Sequence, residues 1–459
     1  MRAVHGVLTA AVVGLLAAMP GTPANATGDG APETTTTTSV LGWGRNSAGQ
    51  VGDNTWTKRA TPSLTCAVGA TDCTTNPLTS VTAIKGGTTH TVALRADGSV
   101  LSWGANYDGQ LGDGTTTNRY TPVPVCAVGA TNCAADPLTG VTAIAAGGEH
   151  NLALLSDGTV VSWGRNYSGR LGDGTYTDRS TPVRVCAVGA TECAADPLSG
   201  VVAIAAGTPH SLALLGDGTV VAWGDNWNSE LGDGTSNGRN TPGPVCAVGA
   251  TDCTADPLTG VTGVTSGSNH NLARLSTGSV VAWGYNGNGR LGDGTTTTRT
   301  TPVQVCAVGA TDCNAAPITG VTSLATSPTG SHSFALTGSG QVLSWGFNGN
   351  GELGNGTTTD RSTPGAVCAV AAVDCATTPL GGVTSVVAGG QAGAALGAGG
   401  AVVTWGGNYD GQLGNGSAVT RATVPGPVCA PGATNCSASP LTDVTALGAG
   451  RWHFLAARG

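Results

Sequence analysis

The sequence predicts an all-β protein that folds as one seven-bladed β-propeller, with four antiparallel strands in each blade. The first observation behind this prediction is that the dipeptide Trp-Gly recurs seven times at intervals of 60 residues, or once 62. The second is that each interval holds segments for four short strands, the content of one propeller blade. The recurring tryptophans are Trp43, Trp103, Trp163, Trp223, Trp283, Trp345 and Trp405.

One repeat, residues 141–200, shows the expected order of elements. The predicted strands are residues 141–146, residues 152–155, residues 159–163 and a short fourth strand that ends at Val185. Asp157-Gly158 separates the second and third strands and is a two-residue hairpin signal. A four-stranded sheet on its own buries too little apolar surface, so we expect the blades to stack around an axis.

The two ends of the repeat array predict how the ring closes. Residues 40–43 match a third strand, whereas residues 444–457 match the first two strands of a repeat. One blade is then assembled from both termini, by pairing of the N-terminal and C-terminal strands. Such closure removes the free sheet edge that a linear array would leave.

The N-terminus has the pattern of an export signal. Arg2 supplies a positive start, residues 7–19 are apolar, and Ala24-Asn25-Ala26 matches an A-x-A cleavage site. The apolar stretch is too short to span a bilayer, so membrane insertion is not expected. The predicted organisation is a signal peptide over residues 1–26, a flexible Thr-rich lead over residues 27–39 and a single propeller domain over residues 40–459. We therefore expect a secreted protein.

The charge pattern argues against two classes of partner. The formal net charge is −8, and the only lysines are Lys58 and Lys85. Nucleic acids and anionic membranes attract clustered Lys and Arg side chains, and no basic run occurs in this sequence. We expect neither as a partner.

The repeated pattern W-G-x-N-x-x-G-x-L-G-D-G-T, then T-P-V, then A-G-x-x-H-x-L-A-L-x-x-D-G-T-V resembles regulator-of-chromosome-condensation repeats. Residues 163–175 and 206–220 show it clearly. The resemblance implies a seven-bladed propeller. Some members of that family act on a nuclear GTPase, a partner that the export signal argues against. Secreted bacterial members, among them a propeller-type beta-lactamase inhibitor protein, imply binding through a loop face rich in aromatic and acidic residues.

The fourteen cysteines depart from the family pattern, because they form seven C-x6-C pairs in segments inserted between blades. In an exported chain this pattern predicts seven local disulfides. Zinc is the competing interpretation, but zinc sites usually have closer spacing and no histidine lies near these segments. The predicted pairs are Cys66 with Cys73, Cys126 with Cys133, Cys186 with Cys193, Cys246 with Cys253, Cys306 with Cys313, Cys368 with Cys375, and Cys429 with Cys436.

A histidine recurs in six of the seven repeats, and the remaining repeat has Ala392 at this place. A ring of histidines suggests a metal site in the channel, but a residue repeated in nearly every blade favours an architectural role. The motif G-x-S-x-G at residues 234–238 lacks the strand–turn–helix context of a nucleophile. We predict no catalytic residue, no metal and no cofactor, and hence no enzyme. The histidines are His90, His150, His210, His270, His332 and His453.

Functional residues are expected where the repeat is broken, because the repeated residues build the blades. Large aromatic and polar residues occur at two variable places, directly after W-G-x-N and directly before the histidine. Tyr and Trp on rigid loops are typical of binding hot spots, although these rings could instead cover neighbouring loops. The candidates are Tyr107, Asp108, Glu149, Tyr167, Trp227, Asn228, Tyr409, Asp410 and Trp452.

These observations favour a monomeric, non-catalytic scaffold that binds an extracellular or cell-surface protein through loops on one propeller face. Two alternatives stay open. The protein could inhibit a beta-lactamase or a related cell-wall enzyme, as the family resemblance implies. It could also bind glycans like a lectin, because exposed Tyr and Trp rings stack on sugars.

Overall fold

The computed structural model describes residues 39–459. These residues form 28 β-strands in seven four-stranded antiparallel sheets, as the repeat predicts. The predicted signal peptide and all but the last residue of the predicted Thr-rich lead lie outside the described residues. Within residues 39–459, no helix is available to cross a membrane.

Six blades are built from consecutive strands. Blade 1 contains β3 (Val81–Gly86), β4 (His90–Arg95), β5 (Val100–Gly104) and β6 (Arg119–Pro124). Blade 2 contains β7 (Val141–Ala146), β8 (His150–Leu155), β9 (Val160–Gly164) and β10 (Arg179–Arg184). Blade 3 contains β11 (Val201–Ala206), β12 (His210–Leu215), β13 (Val220–Gly224) and β14 (Arg239–Pro244). Blade 4 contains β15 (Val261–Ser266), β16 (His270–Leu275), β17 (Val280–Gly284) and β18 (Arg299–Gln304). Blade 5 contains β19 (Val321–Thr326), β20 (His332–Thr337), β21 (Val342–Gly346) and β22 (Arg361–Ala366). Blade 6 contains β23 (Val383–Ala388), β24 (Ala392–Gly397), β25 (Val402–Gly407) and β26 (Arg421–Pro427).

Blade 7 joins the two ends of the described chain. It contains β27 (Val444–Ala449), β28 (His453–Arg458), β1 (Ser39–Gly44) and β2 (Arg59–Leu64), in the spatial order β2-β1-β28-β27. Val40 pairs with Ala457 in the antiparallel ladder between β1 and β28. The first strand of each blade contacts the first strand of the next, and β27 contacts β3. The ring therefore closes by strand pairing, and this prediction is confirmed.

In blade 2, the second strand is longer than the sequence predicts. In blade 2 it begins at His150, which pairs with Gly164 in the ladder, and not at Leu152. The fourth strand ends at Arg184, one residue before the predicted Val185. His150 follows two glycines and a glutamate, so its polarity suggested a turn. Its imidazole is nevertheless fully buried, which lets its backbone join the strand.

The hydrophobic core lies between the blades. Leu212, Leu214 and Val220 of blade 3 pack with Val281 and Trp283 of blade 4. All seven repeated tryptophans are completely buried, and each indole Nε1–H donates to a backbone carbonyl of the preceding blade at 2.8–3.1 Å. The recurring Trp thus supplies both apolar area and a satisfied inter-blade hydrogen bond.

The repeated histidines form a second set of inter-blade bonds, which we call the histidine belt. His150 Nε2 lies 2.9 Å from Ser211 Oγ on the next blade. Because the Ser211 hydroxyl already donates to the Arg170 carbonyl at 2.8 Å, the histidine must donate from Nε2. Equivalent bonds link His90 to Asn151, His210 to Asn271, His270 to Ser333 and His453 to Thr91. These histidines therefore have an architectural role.

The histidine belt is interrupted on both sides of blade 6. His332 of blade 5 faces Gly393, which has no side chain to accept a bond, and both of its ring nitrogens lack a partner. A side chain at Gly393 would collide with Trp405. On the other side, Ala392 replaces the histidine and Phe454 takes the acceptor position of blade 7. Two neighbouring interfaces therefore depend on apolar packing and the tryptophan bond.

Candidate binding surface

Two sets of loops meet at the same end of every blade. In blade 2, β7 runs into the turn before His150 and β9 runs into the loop after Gly164, and Arg165 N–H donates to the Glu149 carbonyl at 2.9 Å. We call this end the loop face. It contains the turns at residues 87–89, 147–149, 207–209, 267–269, 327–331, 389–391 and 450–452, and the loop tips at residues 45–49, 105–109, 165–169, 225–229, 285–289, 347–351 and 408–411.

Buried polar side chains fix the conformation of each loop tip. In blade 2, Asn166 Oδ1 accepts from Leu171 N–H at 3.0 Å, and Asn166 Nδ2 donates to Asp173 Oδ1 at 3.0 Å. Asp173 also forms an ion pair with Arg179 at 2.7 Å. Every repeat has an asparagine equivalent to Asn166, and each accepts a backbone N–H in the same way. The tips are thus held in place before any partner arrives.

Four predicted aromatic residues project from these tips. The exposed fractions are 74% for Tyr107, 76% for Tyr167, 85% for Trp227 and 56% for Tyr409. The first three occupy equivalent positions on the consecutive blades 1, 2 and 3, so together they form an aromatic arc. With so much of each ring open to solvent, covering neighbouring loops accounts for little of their surface.

Blades 4 and 5 carry their aromatic residue two positions earlier, a feature that the sequence analysis missed. Their tips have Gly287 and Gly349, and the rings of Tyr285 and Phe347 lie over these glycines, where a Cβ atom would collide with them. The Arg290 guanidinium lies 4.7 Å from the centre of the Tyr285 ring. The sequence contained a signal for this arrangement. The two repeats that have a glycine at the tip position have an aromatic residue directly after Trp-Gly.

The predicted acidic and amide companions are less available than the aromatic rings. Glu149 lies 3.6 Å from both Arg165 and Arg170, so its charge is balanced within blade 2. Asn228 Nδ2 donates to Glu230 Oε1 at 3.0 Å. Each of these side chains is therefore committed to a partner inside the propeller.

The two predicted aspartates sit beside their aromatic residues and are half-buried. Asp108 and Asp410 donate their backbone N–H groups to Gln110 and Gln412, at 2.9 and 2.8 Å. Burial raises the pKa of the Asp108 carboxyl above its usual value. These residues shape the tips and leave part of each carboxylate accessible.

Trp452 differs from the other aromatic candidates. It is half-buried between two arginines, with the guanidinium carbons of Arg45 and Arg451 at 4.4 and 4.2 Å from its ring centre. Cation–π attraction therefore holds this ring within a positive cluster on the loop face. Arg451 directly precedes Trp452 in the sequence. Arg45 is distant in the chain and contacts the Trp452 ring only because the two ends of the chain pair in blade 7.

The cystine loops follow the outermost strands of the blades, and the sulfur atoms of Cys186 and Cys193 lie close to Gly174 on the long loop of blade 2. All seven predicted cysteine pairs are disulfide-bonded, with Cα–Cα distances of 4.0–4.1 Å. Each loop connects a fourth strand to the next first strand; in blade 3, Val201 N–H donates to Gly158 O at the hairpin end of blade 2. Within residues 39–459, no three His, Cys, Asp or Glu side chains cluster to hold a metal ion.

Comparisons with known proteins agree with this architecture. Residues 34–325 match the model of the RCC1-like domain, and residues 339–396 match the regulator of chromosome condensation (RCC1) repeat. The ultraviolet-B receptor UVR8 of Arabidopsis thaliana is 28% identical over 328 residues, which cover 71% of this chain and 64% of UVR8. The E3 ubiquitin-protein ligase HERC2 of Homo sapiens is 31% identical over 296 residues, which cover 63% of this chain and only 5% of HERC2.

Solved structures show the same fold. Human WBSCR16 has a TM-score of 0.68 at 21% identity, over 92% of this chain and 98% of that one. Prp20p from Saccharomyces cerevisiae has a TM-score of 0.65 at 21% identity, over 92% of both chains. Because the RCC1-like domain model alone matches well over half of the sequence, and the seven blades carry its repeat throughout, the chain belongs to the family of RCC1-like propellers.

Proposed function

We propose that this protein is an exported, non-catalytic scaffold that binds another protein through its loop face. The observation that carries the proposal is the aromatic arc of Tyr107, Tyr167 and Trp227, with Tyr409 on blade 6, whose rings are 56–85% exposed on hydrogen-bonded tips. Aromatic rings bring large apolar areas to an interface, about 150–250 Å² each when buried. Rigid tips lose little conformational entropy on binding, so more of that gain becomes affinity.

Family relatives support a role in protein recognition. The structure of Prp20p was described with its binding to Gsp1p and histones, and Kap60 has been crystallised with yeast RCC1. A different partner is expected for this chain. Seven disulfides persist in an oxidising compartment, and this supports an extracellular or cell-surface partner.

The test is capture from secreted and cell-surface proteins with oxidised residues 27–459, followed by measurement of Kd for each captured protein. The variant Tyr107→Ala/Tyr167→Ala/Trp227→Ala removes the aromatic arc. Hot-spot residues contribute about 2 kcal/mol or more each, so three of them together should lower affinity by about 10⁴-fold. Tyr176→Ala is the matched control, because Tyr176 is exposed on the same long loop of blade 2 but outside the tip.

Three results distinguish the candidates. A protein that binds wild type and the Tyr176→Ala variant equally, but not the triple variant, supports the scaffold. If the captured protein is a beta-lactamase or cell-wall enzyme, loss of its substrate turnover on binding identifies the scaffold as an inhibitor. Retention on cell-wall polysaccharide without any captured protein contradicts protein binding and favours the lectin alternative.

A further inference from the structure

The repeat is broken at two places around one groove at the outer edge of blade 5. Asn355 takes the place of the aspartate that pairs with an arginine in blades 1–4 and 7. Val373 takes the place of a threonine that the other six cystine loops have. Both residues line a groove of about 740 Å³ beside β22, together with Arg361 and Val308.

Arg361 has no counter-charge from the protein. Within residues 39–459, no carboxylate forms an ion pair with it, and its Nη1 atom is buried without a hydrogen-bond partner. The guanidinium lies over Gly365, where a Cβ atom would collide with it. Partial burial lowers the pKa of this guanidinium. A partly desolvated cation of this kind favours the binding of an anion, because the anion supplies the missing charge and acceptors.

The Asn355 amide adds a second donor to the groove. Asn355 Oδ1 accepts from the N–H of Thr357 at 3.1 Å and from its Oγ1 at 2.9 Å, as Asp173 Oδ1 does at the same place in blade 2. Because a backbone N–H can only donate, these bonds fix the amide orientation. Asn355 Nδ2 then takes the place of Asp173 Oδ2, the oxygen that accepts from Arg179 at 2.9 Å. In the described part of the chain, no carboxylate accepts from Asn355 Nδ2 or from Arg361.

Blade 3 shows which group an arginine binds in this conformation. Gly243 corresponds to Gly365, and the guanidinium of Arg239 lies over it in the same way. Arg239 nevertheless forms an ion pair with Asp233. A carboxylate at the equivalent place in blade 5 is therefore the group that fits Arg361, since a guanidinium matches the planar geometry of a carboxylate.

The rest of the groove indicates a ligand larger than a free carboxylate ion. Val308 and Val373 are exposed on the two cystine loops that border it. A volume of about 740 Å³ has room for several residues of an extended chain. Asp374 also lines the groove, but its carboxylate accepts from Ala376 N–H and Thr377 Oγ1 of its own loop, at 2.9 Å each. The ligand that fits is an acidic side chain with apolar neighbours.

We propose that this groove binds a peptide segment through the carboxylate of an Asp or Glu side chain. The carboxylate pairs with Arg361 and accepts from Asn355 Nδ2, while apolar residues beside it in the peptide pack against Val308 and Val373. The residues that line the groove belong to neither the turns nor the tips of the loop face. This site is therefore separate from the loop-face proposal, and either can fail without the other.

Calorimetry with oxidised residues 27–459 and the blocked peptide acetyl-Ala-Val-Asp-Val-Ala-amide measures this binding directly. Replacement of the peptide Asp by Asn removes the charge and should weaken binding by at least about tenfold. Acetate has the charge but no apolar neighbours, and we expect it to bind at least about tenfold more weakly than the Asp peptide. Arg361→Met should lower the affinity for the Asp peptide by at least about tenfold. Arg299→Met is the matched control in the groove of blade 4, and it should leave the affinity unchanged.

Two further variants separate loss of the site from loss of the fold. Asn355→Asp supplies an internal carboxylate for Arg361, so it should abolish peptide binding while the urea midpoint rises. Val373→Thr restores the repeated residue and should weaken binding of the Asp peptide but not of acetate. The inference is overturned if the Asn peptide or acetate binds as tightly as the Asp peptide, or if inorganic phosphate binds more tightly. Retained binding by Asn355→Asp, or an equal loss of affinity in Arg299→Met and Arg361→Met, would also overturn it.

Discussion

Acid should unfold this propeller through its histidine belt. Burial lowers the pKa of all six belt histidines, to about 4 for His90 and about 3 for His332 and His453, from 6.5 in an unfolded chain. A histidine that stays neutral when folded contributes stability that is fully present above pH 6.5. That contribution is lost as the pH falls, because the histidines bind protons in the unfolded chain but stay neutral in the folded chain.

The magnitude follows from these shifts. Between pH 7 and pH 5, a histidine with a folded pKa near 4 and an unfolded pKa near 6.5 loses about 2 kcal/mol. His90, His332 and His453 lose about 6 kcal/mol together, which is comparable with the whole stability of many folded domains. The other three belt histidines add to this loss, because burial also lowers their pKa. Glu352 and Asp108 act in the opposite sense, because burial raises the pKa of each carboxyl, but they are two groups against six histidines.

Urea unfolding of residues 27–459, followed by tryptophan fluorescence at pH 7, 6 and 5, measures this loss. The belt supplies every histidine of that fragment, since the seventh, His5, precedes it. His332→Gln is the sharpest variant. It removes one titrating group without breaking an inter-blade hydrogen bond, and should reduce the loss of stability between pH 7 and pH 5 by about 2 kcal/mol. A free energy of unfolding that changes by less than about 2 kcal/mol between pH 7 and pH 5 would refute the reasoning.

Two further changes should alter stability in opposite directions. In blade 5, Asn355 replaces the aspartate that pairs with arginine in five other blades, and Arg361 is left with an unsatisfied guanidinium nitrogen. Asn355→Asp should therefore raise the free energy of unfolding by about 1 kcal/mol. An unchanged or lower urea midpoint would argue against an ion pair at this position. Cys186→Ser/Cys193→Ser opens one small loop and should lower the free energy of unfolding by about 2.5 kcal/mol, according to the chain-entropy relation. Addition of a reductant should have the same effect on all seven loops. Equal urea midpoints for oxidised and reduced protein would contradict this stabilisation by the disulfides.

The architecture was predictable because its signals are repeated. Trp223 is one of seven tryptophans at equivalent positions, about 60 residues apart. This spacing predicted the length of a blade without knowledge of any contact. The closure of blade 7 followed from which strands the terminal segments resemble. The cysteine pairs lie only seven residues apart, so their partners were evident from local spacing.

The exceptions were harder to predict because they depend on contacts between distant segments. Trp452 was a binding candidate like Tyr167, but Arg45, more than 400 residues earlier in the chain, packs against its ring. Glu149 seemed available until the fold placed two arginines beside it. Lys85 is exposed and lines the central channel, a position that becomes evident only when the first strands form a ring. Each case required a contact between segments that a repeat pattern does not specify.

The pairing of Val40 with Ala457 determines when the fold of this protein can be completed. During synthesis, β1 is made first, but its neighbour β28 is made last. One edge of β1 therefore stays unpaired until nearly the whole polypeptide has been synthesised. Blades 1–6 can fold before that point. Truncation of the final strand would leave both β1 and β27 without their shared partner, so shortened chains should be prone to edge-to-edge aggregation.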